Sequence, residues 1–152
     1  MFSIFKKKTI IPHVRLTGVI GSAGRFRQGM DLASQQELLK KAFSYKKPKN
    51  VAISINSPGG SPVQSHLIYS YIRQLAEKNN TKVIVFAEDV AASGGYFIAC
   101  AGDEIYANSS SIIGSIGVIS ASFGFKELIN KLGVQRRVYT AGKNKSTLDP
   151  FV

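Results

Sequence analysis

Val51-Ala52-Ile53-Ser54-Ile55-Asn56-Ser57-Pro58-Gly59-Gly60-Ser61-Pro62 reads as a strand, a glycine turn and a helix start in immediate succession. The apolar run over Val51 to Asn56 is the length of a buried strand, and Pro58-Gly59-Gly60 ends it. Ser61 followed by Pro62 is the preferred order of cap and first helical residue. Val63, Leu67, Tyr71 and Leu75 then recur every four residues, with Ile68 and Ile72 beside them. That periodicity predicts a helix burying this stripe.

Working outward, the same alternation repeats. Val14 to Ile20 is a first strand, ended by the turn Gly21-Ser22-Ala23-Gly24. Asp31 to Phe43 is a helix with Asp31 as N-cap and Leu32, Leu38, Leu39 and Phe43 as its apolar face. Lys82 to Ala87 is a central strand, Ser93 opens a small-residue helix to about Ala101, and Glu104 to Ala107 is a short strand. Ser111 to Phe123 holds a glycine turn and a further strand, Phe125 to Leu132 is a helix stopped by Gly133, and Val134 to Thr140 is a last strand. Strands alternating with helices predict an α/β fold with a largely parallel sheet of repeated β-α units. Residues 1–13 form a basic amino-terminal segment and 14–152 a single domain. The tail Asp149-Pro150-Phe151-Val152 reads as a carboxyl end truncated before any closing element.

Charge bounds the partners. There are 20 Lys+Arg against 9 Asp+Glu, a formal net charge of +11. The lysines cluster at Lys6 to Lys8 and from Lys40 to Lys49 with no aromatics interleaved in a stacking pattern and no nucleic-acid motif, so the excess reads as a solvated basic face. Attraction to a membrane surface is the second reading. No window reaches the roughly 20 apolar residues that span a bilayer. Cys100 is the only cysteine, which excludes an internal disulfide; its apolar neighbours predict a buried helix position.

Two motifs carry chemistry. Ala91-Ala92-Ser93-Gly94-Gly95-Tyr96 sets a hydroxyl among small residues at a strand-to-helix junction, where the N–H groups of Ser93 and Gly94 are expected to be unpaired. An ordinary N-cap serine accounts for this run equally well. The turn Asn56 to Gly60 adds backbone donors suited to a developing oxyanion. Together they supply the nucleophile and the anion site that a serine hydrolase needs. His13 and His66 both precede Ser93 and neither has a carboxylate at a suggestive spacing, which disfavours a Ser-His-Asp triad. A lysine serves as base instead where desolvation frees its lone pair.

Asn56-Ser57-Pro58-Gly59-Gly60, Ala92-Ser93-Gly94-Gly95-Tyr96, Gly114-Ser115-Ile116-Gly117-Val118, and Gly142, Lys145, Ser146, Pro150 and Phe151 together closely resemble the SppA-type signal peptide peptidases. The resemblance runs from Val14 to Phe151. It implies a Clp-protease/crotonase-like fold without the family's usual carboxyl-terminal helices. It also implies a serine–lysine endopeptidase that degrades signal peptide remnants or other small extended peptides. Position by position, Ser93 matches the nucleophile and Lys145, 52 residues further on, matches the base. Ser115 falls where a hydroxyl orients that lysine, and Gly60 and Gly94 match the oxyanion-hole donors. No cofactor or metal is called for. The family implies a homo-oligomer whose protomers share active sites. It further implies a bacterial protein, soluble or peripheral at the inner membrane, though the amino-terminal anchor of many relatives is not seen here. The alternative from a different class is an inactive fragment or pseudoenzyme acting in peptide binding or assembly. Acyl-CoA chemistry is the third reading, and it has only the shared architecture in its favour.

Overall fold

The strand that opens on Asn50 pairs on both sides, in parallel, and so forms the middle of a sheet. The structure, a computed structural model, describes residues 9–21, 29–142 and 144–151. Lys6 to Lys8 and most of the Gly21 to Gly24 turn lie outside the described residues. In chain order the strands are β1 (His13–Thr17), β2 (Asn50–Ser57), β3 (Lys82–Ala92), β4 (Glu104–Ala107) and β5 (Ile112–Gly114). The helices are α1 (Leu32–Ser44), α2 (Pro62–Asn79), α3 (Gly94–Ala99) and α4 (Lys126–Lys131). The sheet order is β1-β2-β3-β4, with β5 pairing the far end of β3, and every pairing is parallel. Repeated β-α units therefore build a parallel sheet, as the alternating pattern predicts.

Local chemistry explains the helix starts. Asp31 caps α1 in a reciprocal capping box with Ser34, and the Ser61 hydroxyl accepts from the Gln64 N–H ahead of α2. Asn80, in the left-handed conformation, ends α2. Leu16, Ile53, Ile55 and Val85 on one sheet face pack with Leu39 and Phe43 of α1, Ile68 and Ile72 of α2, and Ile98 of α3. Burying such side chains stabilises by about 1.5–3 kcal/mol each.

Four expectations need correction. The buried stripe of α2 is Ser65, Ile68, Ile72, Leu75 and Ala76, whereas Val63 and Leu67 are exposed. A helix turns 100° per residue, so a strict four-residue repeat drifts off the contact face. Leu38 likewise faces outward from α1. Cys100 caps the end of α3 and is exposed, because the helix finishes at Ala99 and the chain turns away. Val134 to Thr140 forms no strand: the segment is exposed and no strand pairs with it among the described residues.

The chain separates into two compact units, up to Gly117 and from Val118 onward. In the second, α4 ends at Lys131 with Leu132 as its C-cap, and Gly133 follows with φ of 68°, the helix stop expected there. The Phe125 N–H donates to the Pro150 carbonyl, Phe125 stacks on Phe151, and Arg136 pairs with Asp149.

Candidate active site

Ser93 sits between β3 and α3 with φ 51° and ψ −118°, a left-handed conformation that costs a side-chain-bearing residue about 1–3 kcal/mol. Its position is that of an N-cap, yet its hydroxyl makes no capping bond, in contrast to Asp31 and Ser61. A cap serine would adopt relaxed extended geometry and bond the helix start. Ser93 does neither, so the simpler reading of this serine fails on its geometry.

The two glycine motifs meet. A methyl placed on Gly59 would fall 2.8 Å from Ser93 Cβ and 2.9 Å from both Ala92 O and Gly94 N. One on Gly95 would fall 2.6 Å from Ser57 O, and one on Gly94 2.3 Å from Ser65 Oγ. Gly59 also has φ of 101°, so both space and conformation demand glycine there. Backbone thus lies directly on backbone at the serine.

Two pinned peptide units decide where the free donors point. The Gly59 carbonyl accepts from the Ile20 N–H at 2.9 Å, and in a planar trans peptide the N–H lies opposite the carbonyl. The Gly60 N–H is therefore turned away from Ile20. In the same way the Ser93 carbonyl accepts from the Phe97 N–H at 2.9 Å inside α3, which turns the Gly94 N–H out of the helix start. Neither N–H has a hydrogen-bond partner among the described residues. The Ser93 N–H, expected to be unpaired, instead donates to the Gly114 carbonyl at 2.7 Å. The cause is the pairing of Ala92 with Gly114, which carries β3 onward to the serine and brings β5 alongside.

Ser115 follows that acceptor directly, exposed and with φ of 53°. Lys145 lies in the second unit, exposed, in a run of turns where Thr147 Oγ1 donates to Asn144 O. Ser93, Gly60, Gly94 and Ser115 are brought together within the first unit. His13 bonds Ser54, while His66 bonds Ser70, stacks on Tyr69 and packs tilted against Phe97; among the described residues neither bonds Ser93.

Sequence reasoning missed the parts that hold this arrangement. Ser57 is wholly buried, and its Oγ donates to Gly18 O at 2.7 Å and accepts from Gly59 N–H at 3.1 Å. Ile20 holds the turn through its backbone, which no side-chain pattern reveals, and its Cδ1 lies 3.1 Å from where a methyl on Gly94 would sit. Ser57 was visible inside its motif, since a serine two residues before a glycine turn is placed to bond it.

The parallel β-α sheet thus lays a glycine turn against a strained serine whose hydroxyl makes no capping bond. The chain belongs to peptidase family S49, whose sequence profile matches residues 75–152. It is 64% identical over 145 residues to a protein of Brucella melitensis named Na(+)/H(+) antiporter NhaA, covering 95% of this chain and 20% of that one. It is 39% identical over 107 residues to the chloroplastic serine protease SPPA of Arabidopsis thaliana, covering 70% of this chain and 16% of the other. The chain thus spans about a fifth or less of these relatives. Among solved structures, a variant of a membrane-bound stomatin-specific protease superposes with TM-score 0.52 at 17% identity, over 69% of this chain and 46% of that one.

Proposed function

We propose that this chain carries the catalytic centre of a serine endopeptidase working through a Ser93–Lys145 dyad. Ser93 Oγ forms a bond to the scissile carbonyl carbon and passes its proton to the neutral Lys145 amine. The Gly60 and Gly94 N–H groups hold the resulting oxyanion. The carbon–nitrogen bond then breaks, the leaving amine takes the proton from Lys145, and an acyl-enzyme remains on Ser93. Water repeats the sequence and releases the acid. Ser115 orients the lysine and relays its proton. Substrates are small extended peptides, signal peptide remnants among them, and the protein works as a homo-oligomer with active sites shared between protomers.

The observation that carries this reading is the contact of Gly59 with Ser93, at a serine whose strained backbone and uncapped hydroxyl have no use in the helix itself. Membership of the peptidase family supports it independently. Ion transport is not proposed, because the likeness to the antiporter covers one fifth of that protein. No helix among the described residues is long and apolar enough to cross a membrane.

A fluorophosphonate probe read by intact mass tests the proposal. One adduct per chain is expected, located at Ser93 and absent from Ser93→Ala. An assembled preparation that binds peptides but takes no adduct would contradict it and favour a pure binding role.

A further inference from the structure

The nucleophile and the anion site account for Ser93, Gly60 and Gly94, but not for the most deeply buried hydroxyl beside them. Ser57 is 0% exposed at the end of β2. A buried hydroxyl has to both give and accept to be satisfied, and Ser57 does so with two different segments. It donates to Gly18 O just past β1 and accepts from Gly59 N–H in the turn. Its register partner on β3 is Ala91, two residues before Ser93, across an irregularity between Ile55 and Ser57. Its carbonyl and Cβ abut Gly95 of α3, at 2.6 and 3.1 Å from where a methyl would sit.

We infer that Ser57 is a positioning residue: its single hydroxyl locks the glycine turn in the orientation that aims the Gly60 N–H beside Ser93. This rests on the reading of the site given above. Gly59 is held on both sides, its carbonyl by Ile20 and its N–H by Ser57. Only the second is a side chain. Removing it leaves a buried N–H without a partner, and the turn relaxes to find one. A buried structural serine with no such duty is available for comparison in Ser54, 5% exposed and bonded to His13.

The test compares wild type, Ser57→Ala, Ser57→Cys and Ser54→Ala in three measurements on the full chain. These are steady-state peptide hydrolysis, affinity for a peptide aldehyde, and hydrogen exchange at the Gly59 amide. The aldehyde adds to the serine and places its oxygen in the anion site, so it reports that site where ground-state binding does not. For Ser57→Ala, kcat is expected to fall about 10- to 100-fold, as for a displaced or lost oxyanion donor. KM should stay within about twofold, and aldehyde affinity should fall in step with kcat/KM. Ser57→Cys, which keeps the shape but weakens both bonds, should fall between, and Ser54→Ala should keep its kcat. Exchange at Gly59 should quicken at least about tenfold in Ser57→Ala while Val83 stays protected. Unchanged kcat and aldehyde affinity, or a loss matched by Ser54→Ala, would overturn the inference. If wild type forms no adduct at Ser93, the peptidase reading fails, and exchange at Gly59 alone then decides whether Ser57 holds the turn.

Discussion

The amide N–H of Ser93 donates to the carbonyl of Gly114 at 2.7 Å, tying the strained serine to the residue before Ser115. The bond extends the parallel ladder of β3 and β5 by one step past Ala92. It fixes the backbone of the proposed nucleophile from the side opposite the glycine turn. Ser115 reaches the neighbourhood of Ser93 through this pairing and not through sequence proximity. Because Ser115 is exposed, replacing it touches no packing. Ser115→Ala is expected to keep stability within about 0.5 kcal/mol and lower kcat by roughly 10²-fold, as for a residue serving proton transfer. Thermal unfolding and steady-state kinetics on the same preparation check both halves.

The left-handed conformation of Ser93 predicts which of its two substitutions is the better tolerated. Ser93→Gly should be more stable than Ser93→Ala by about 1 kcal/mol, because glycine adopts that conformation without strain. An ordinary N-cap already favours glycine over alanine, and the strain at Ser93 adds to that preference. Both variants should be inactive. Urea midpoints with equal slopes provide the comparison.

Gly59→Ala places a methyl 2.8 Å from Ser93 Cβ at a residue with φ of 101°. A loss of at least about 2 kcal/mol and of probe labelling is expected, from strain and overpacking together. Gly133→Ala is the matched case, with positive φ and nothing within 4 Å. It should lose only about 1 kcal/mol and label normally.

Asp103 joins the sheet to α2 away from the site. Its carboxylate accepts from the Val83 N–H at 2.7 Å and from Arg73 at 2.9 Å. Partial burial pulls its pKa up, but the Val83 N–H and Arg73 outweigh that and hold it below the ordinary aspartate value. A depressed carboxyl gives stability that is complete above the unfolded pKa, about 3.9, and is lost as pH falls through the folded one. Asp103→Ala is therefore expected to cost about 1–3 kcal/mol at pH 7 and progressively less below pH 4. Urea unfolding of the two proteins across that range measures the closing gap.

What the sequence made legible was local. Ser61-Pro62 marked the start of α2, Asp31 the cap of α1, and Glu104 to Ala107 the whole of β4, since each signal lies within a few residues of what it controls. The expected β3 stopped at Ala87, five residues short, because Val90 to Ala92 is held in the ladder by β5, a partner distant in the chain. The same pairing consumes the Ser93 N–H. Val134 to Thr140 shows the converse: apolar, β-branched residues make a strand only when a neighbour supplies the ladder. At the site, Ser93 and the glycine turns were visible as residue types. That Gly59 rests on Ser93, and that Ser57 holds Gly59, depends on three segments meeting in space.

In the proposed mechanism Ser93 acts with a lysine and not with a histidine. The measurement is the rate of Ser93 acylation against pH, on wild type, on Lys145→Ala and on a His13→Ala, His66→Ala double variant. A lysine acts as base only when neutral, so the rate should rise along an alkaline limb in wild type and unchanged in the double variant. In Lys145→Ala that limb should vanish, with the rate down by a factor of about 10³ or more. A limb near the ordinary imidazole value of about 6.5 that disappears in the double variant, or wild-type acylation by Lys145→Ala, would rule out a lysine base at Ser93.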